Sequence, residues 1–135
     1  MAIKVKIEKT NDGTYWGTTQ NIPGSVTADG STLDELKENL KDAIELYIET
    51  AKEHDKEIYE KLGKGFEFEL EIKLSEVFKN VKVLNKSQFA KRVGINPTLM
   101  RQYATKKSIY VSEKRAKEIQ KGLHDLGEEL LSIKL

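Results

Sequence analysis

Ile3-Lys4-Val5-Lys6-Ile7 alternates apolar and basic residues with period two, the pattern of a strand that turns Ile3, Val5 and Ile7 to one side. Asn11-Asp12-Gly13 then signals a hairpin turn, because these residues tolerate positive φ. A second strand is expected at Thr14–Thr19, carrying Tyr15 and Trp16, then a turn at Ile22-Pro23-Gly24 and a short third strand at Ser25–Ala28. Thr32-Leu33-Asp34-Glu35 has the form of a capping box, in which the Thr32 hydroxyl accepts from the Glu35 amide. Leu33, Leu36, Leu40, Ala43, Ile44, Tyr47, Ile48 and Ala51 follow at steps of three and four, so an amphipathic helix covers one side of the sheet. The polar stretch Lys52–Gly65 predicts fraying into a loop. Phe66, Phe68, Leu70, Ile72 and Leu74 alternate with charged residues as a further strand.

Beyond Leu74 the period changes. Ser75-Glu76-Val77-Phe78 starts a short helix, and Asn85-Lys86-Ser87-Gln88 caps another that runs to Val93. Gly94 stops that helix. Asn96-Pro97 opens the next, with proline at the first helical position, where its missing N–H is no loss. This helix carries Met100 and Tyr103 and ends near Lys106-Lys107; Ser112 caps a last helix to about Ile133. The fold class is therefore α+β: a β-β-β-α-β domain over residues 1–74, then an all-α domain over residues 75–135 with a long C-terminal helix.

Composition narrows the function. The 135 residues are 38% apolar and 33% charged, too apolar for a disordered chain, and no apolar run approaches the roughly 18 residues of a membrane span. The N-terminus lacks the apolar stretch of a signal peptide. With no cysteine there are no disulfides, thiolate metal sites or cysteine nucleophiles, which suits a cytoplasmic location. The net charge of +1 conceals a split: residues 1–74 hold 10 basic and 16 acidic residues, and residues 75–135 hold 13 and 6. A net −6 half beside a net +7 half suggests a basic module for a polyanion and an acidic module for a different partner.

The basic half contains the strongest functional pattern. In Lys86–Tyr103, Ala90 is the small residue that lets two helices cross closely, and Gly94 the corner between them. Phe89, Val93, Ile95, Met100 and Tyr103 are the apolar residues that lock the pair. Over about 20 residues this resembles the Cro/repressor type of helix-turn-helix. The resemblance implies a second helix in the major groove of duplex operator DNA, with Pro97, Thr98, Arg101 and Gln102 toward the base edges. Arginine suits guanine O6/N7, and glutamine suits adenine N6/N7. Lys86, Lys91, Lys106 and Lys107, with Lys79 and Lys82, are the expected phosphate contacts. Pro97 has no side-chain donor at a frequent base-reading position, and Lys106 stands where a glycine commonly closes the recognition helix.

In the last helix Ala116, Ile119, Leu123, Leu126, Leu130 and Ile133 are spaced 3, 4, 3, 4, 3, an apolar seam over almost three heptads. It is expected to pair two copies in a homodimer or higher oligomer; the alternative is packing on the preceding helices of its own chain. Gly122 and Gly127 weaken the isolated helix by up to ~1 kcal/mol each, so it needs a surface to lean on.

In the acidic half, Lys4-Val5-Lys6-Ile7, Asp12-Gly13-Thr14-Tyr15, Asn21-Ile22-Pro23-Gly24, Gly30-Ser31-Thr32-Leu33-Asp34-Glu35-Leu36 and Ala43-Ile44-Glu45-Leu46-Tyr47-Ile48 together resemble the HicB antitoxin family over residues 2 to about 74. Ser25 replaces that family's usual cysteine, and Asn21 a usual aspartate. The resemblance implies a degraded RNase H-like domain that sequesters a HicA-type toxin, a small basic protein that cleaves messenger RNA. It further implies repression of the operon by the DNA-binding module. Tyr15 and Trp16, near the hairpin, are candidate toxin contacts.

Catalysis is not expected. A nuclease on such a fold needs several carboxylates converging on Mg²⁺, whereas the inward positions of the first strand are Ile3, Val5 and Ile7. Asp12, Glu35 and Asp42 read as turn, cap and helix surface. His54 and His124 are isolated, and Gly63-Lys64-Gly65 is too short for a phosphate-binding loop. No cofactor and no metal is expected. Two further readings stay open: a solitary regulator whose first domain binds another protein or a small ligand, and an RNA-binding adaptor.

Overall fold

A computed structural model describes residues 1–135, which divide into two compact units, Met1–Ile72 and Lys73–Leu135.

In the first unit, strand β1 (Ala2–Lys9) alternates as its sequence dictates, with Ile3, Val5 and Ile7 fully buried. It pairs antiparallel with β2 (Tyr15–Thr19), which pairs antiparallel with β3 (Thr27–Gly30); β4 (Glu67–Lys73) lies parallel to β1 on its other side. The order β3-β2-β1-β4 places β1 centrally. A parallel neighbour requires a long crossover, and two helices lie between β1 and β4 in the chain. Helix α1 (Leu33–His54) starts at Thr32, whose hydroxyl accepts from the Glu35 amide at 3.1 Å, and the Glu35 carboxylate accepts from the Ser31 hydroxyl at 2.6 Å. Its buried residues Leu36, Leu40, Ile44 and Ala51 form the stripe that faces the sheet.

Two expectations for this unit are corrected. The third strand is Thr27–Gly30 rather than Ser25–Ala28, since its ladder to β2 runs from Thr18↔Thr27 to Tyr15↔Gly30. The stretch Lys52–Gly65 is no frayed loop: helix α2 (Lys56–Gly63) occupies most of it, making the unit β-β-β-α-α-β. The Asp55 carboxylate caps α2 by accepting from the Ile58 amide at 3.1 Å, and Ile58 and Leu62, one turn apart, are buried.

The second unit is helical: α3 (Ser75–Lys79), α4 (Lys86–Val93), α5 (Pro97–Thr105) and the long α6 (Glu113–Leu131). The three-residue strand β5 (Tyr110–Ser112) departs from the all-α expectation; its tyrosine and valine favour extended backbone, and Ser112 must be extended to cap α6. Phe78, Phe89, Ala90, Ile95, Met100, Tyr103, Ala104, Ala116 and Ile119 are buried, and the Phe78 and Phe89 rings meet edge-on at 6.3 Å. No helix is long and apolar enough to cross a membrane.

Candidate nucleic-acid interface

Helix α4 begins at Asn85, whose carboxamide oxygen accepts from the Gln88 amide at 3.0 Å. It ends at Gly94, in the left-handed region at φ +76°, a conformation costly for residues with a Cβ. The corner is closed by the Ile95 amide donating to the Ala90 carbonyl at 2.9 Å. Two residues on, the Asn96 carboxamide oxygen accepts from the Thr98 and Leu99 amides at 2.9 and 3.3 Å and launches α5 with Pro97 in its first turn. Ala90, fully buried, permits the close crossing; Phe89, Ile95, Met100 and Tyr103 are buried about it, and Val93 is half-buried. The geometry is two short capped helices joined by a tight glycine corner.

The opposite side of α5 faces outward. Thr98 and Arg101 are exposed, and Pro97 and Gln102 half-buried. Arg101 is tethered: Nη1 donates to Ser87 Oγ at 2.9 Å, and Nη2 to Thr98 Oγ1 at 3.3 Å. Sequence reasoning missed Ser87, since a contact 14 residues away across a corner leaves no periodic trace. Lys79, Lys82, Lys91, Lys106 and Lys107 are exposed and Lys86 half-buried. Lys106 follows α5 in extended conformation, φ −90° and ψ 120°, so no glycine is required there.

The C-terminal seam divides. Ala116 and Ile119, expected as dimer contacts, are 8% and 2% exposed within the single chain and belong to its own core. Gly122 explains why: a Cβ there would stand 2.1 Å from Val93 Cγ1 and 3.2 Å from Phe89 Cζ, so α6 lies directly against α4. Arg92 adds an ion pair to Glu129. Leu123 and Leu126 are half-buried, whereas Leu130 and Ile133 are 58% and 62% exposed, the latter beyond the helix end.

In the first unit Tyr15 and Trp16 are not one surface. Burial along β2 puts Tyr15 in line with buried Gly17 and Thr19, while Trp16 is 43% exposed on the other face, across from Glu8 and Asp29. Burial pushes the Tyr15 hydroxyl pKa up, and Lys9 Nζ stands 5.8 Å from its ring centre. Asp12 lies in the hairpin turn, accepting from the Thr10 hydroxyl and from the Thr14 amide at 3.0 Å; these bonds, Thr10 first, hold its carboxyl below the ordinary value. Glu35 serves the α1 cap, Asp42 is exposed on α1, and His54 and His124 are exposed. No three His, Cys, Asp or Glu side chains gather as a metal site requires.

No protein-family model and no solved structure matches the chain. Among curated proteins it is similar to a UPF0150 protein of Archaeoglobus fulgidus, with 44% identity over 52 residues. That stretch is 38% of this chain and 74% of the relative. At that identity, over most of the relative's length, the chain belongs to the UPF0150 family.

Proposed function

We propose that the chain is a non-enzymatic antitoxin and autorepressor: its first unit sequesters a HicA-type toxin, and its second binds operator DNA and represses the operon. One observation carries the DNA-binding half: an outward arginine, Arg101, on the exposed side of a capped helix that follows a glycine corner. A helix so placed fits the major groove, with Thr98, Arg101 and Gln102 toward base edges. Exposed lysines at 79, 82, 91, 106 and 107 supply the sequence-independent attraction, about 0.9 in log–log salt slope per phosphate neutralised.

The antitoxin half is supported by the resemblance of residues 2 to about 74 to HicB and by charge. A net −6 over residues 1–74 complements a basic RNA-cleaving partner and speeds encounter. Trp16, exposed on the sheet face away from α1, is the better toxin contact of the two aromatics; Tyr15 is the lesser. Two copies pair through the part of the seam that stays open, Leu126, Leu130 and Ile133, so that two recognition helices meet two half-sites.

The test is co-expression with the adjacent gene product, followed by pull-down and a promoter-binding assay. The account expects a stable complex and retention of the promoter duplex over RNA hairpins at equal salt. DNA binding with no partner leaves a solitary regulator; preference for RNA hairpins leaves an adaptor and ends the repressor reading.

A further inference from the structure

Arginine is a long, mobile side chain, and ordering it on a base edge costs entropy unless the free protein already holds it. Here the guanidinium is held from two sides. Ser87, in the first turn of α4, accepts from Nη1 at 2.9 Å, and Thr98, three residues before Arg101 on α5, accepts from Nη2 at 3.3 Å. The bonds come from both helices of the corner, so they fix the plane of the group as well as its position. A guanidinium has five N–H donors. Two are engaged, and three remain: Nε–H and one on each terminal nitrogen. That suffices for a two-pronged bond to a base with two adjacent acceptors, and in the major groove guanine offers O6 and N7.

We propose that Ser87 is a positioning residue that holds Arg101 ready to read one guanine of the operator. The inference rests on the DNA-binding reading above and adds to it which base is read and what fixes the reader. Ser87 touches no base in this scheme; it acts through Arg101. Its hydroxyl oxygen accepts from the guanidinium.

Two measurements test it on the full chain. In the first, nitrogen-15 NMR follows the Arg101 side chain without DNA: rotation about Cζ–Nε is slow in the wild type and fast in Ser87→Ala. Equal rotation in both overturns the tether itself, whatever the protein binds. In the second, duplexes chosen by the wild-type protein from a randomised pool are re-assayed with each base pair replaced in turn. Ser87→Ala loses about fivefold in discrimination at one G·C pair, the worth of roughly one net hydrogen bond, with its salt slope unchanged, and Ser87→Thr restores it. Equal weakening on every duplex, with no loss confined to one base pair, overturns the proposal in favour of a phosphate contact. Unchanged discrimination overturns it while leaving DNA binding intact, and a wild type that selects no duplex overturns both.

Discussion

In the DNA-binding function proposed above, Arg101 and Lys86 would make two different kinds of contact at the scale of single residues. Arg101 is a planar fork held outward by Ser87 and Thr98, suited to a base edge, whereas Lys86 is a flexible point charge at the start of α4, suited to a phosphate. Arg101→Ala is expected to relax preference at one operator position by about 1–3 kcal/mol. Lys86→Ala is expected to weaken all duplexes alike and to reduce the salt slope by about 0.9; titrations at several salt concentrations distinguish them. The exposed position of Arg101 was legible from its place after Gly94, but its tether was not, because Ser87 is near in space and remote in sequence. In the other unit Asp12 makes the β1–β2 turn locally acid-sensitive. Its folded pKa lies below the ordinary 3.8, so the stability it contributes is full above that value and is lost as pH falls through the folded one. Protection of the β1–β2 turn amides, measured as exchange corrected for the intrinsic rate at each pH, is expected to fall below roughly pH 4 in the wild type and to stay constant through that window in Asp12→Asn.

Elements were legible where burial and period agree. Ile3, Val5 and Ile7 announce β1, and Leu36, Leu40 and Ile44 announce the sheet-facing side of α1, because each buries one complete face. Helix α2 was not legible: it is short, and Ile58 and Leu62 give it only one apolar pair amid charged residues. Its start depends on the Asp55 cap, inside a stretch that otherwise reads as the frayed end of α1. The third strand was displaced because it is short, and its ladder to β2, not its own pattern, sets its register. The contact of α6 with α4 yields a sharper expectation. Gly122→Ala raises helix propensity by up to ~1 kcal/mol, but the new methyl falls on Val93, a stiff β-branched side chain, and on the Phe89 ring. Overpacking of this kind costs typically about 1–3 kcal/mol, so the overlap wins, and urea denaturation should show a lower midpoint with an unchanged m-value.

For the whole molecule, charge and contact divide the chain at nearly the same place. The acidic half ends with β4, and the basic half begins with the helices that lead into the corner. The packing of the C-terminal seam was only half legible. A seam spaced 3, 4, 3, 4, 3 looks alike whether it meets its own chain or another copy, and the structure assigns Ala116 and Ile119 to the monomer's interior. What remains for a second copy is Leu126, Leu130 and Ile133, with Leu131 exposed beside them. Leu130→Asp touches none of the buried core, and light scattering is expected to show half the wild-type mass with an unchanged circular dichroism spectrum. Should that variant keep the wild-type mass, the pairing surface lies elsewhere.

The most direct measurement is binding of the intact chain to the duplex upstream of its own gene, titrated against salt beside a scrambled duplex of equal length. The account predicts tighter binding to the promoter at every salt concentration, with log affinity falling linearly in log salt and Arg101→Ala erasing most of the preference. Equal affinity for both duplexes, or no binding at low salt, contradicts it.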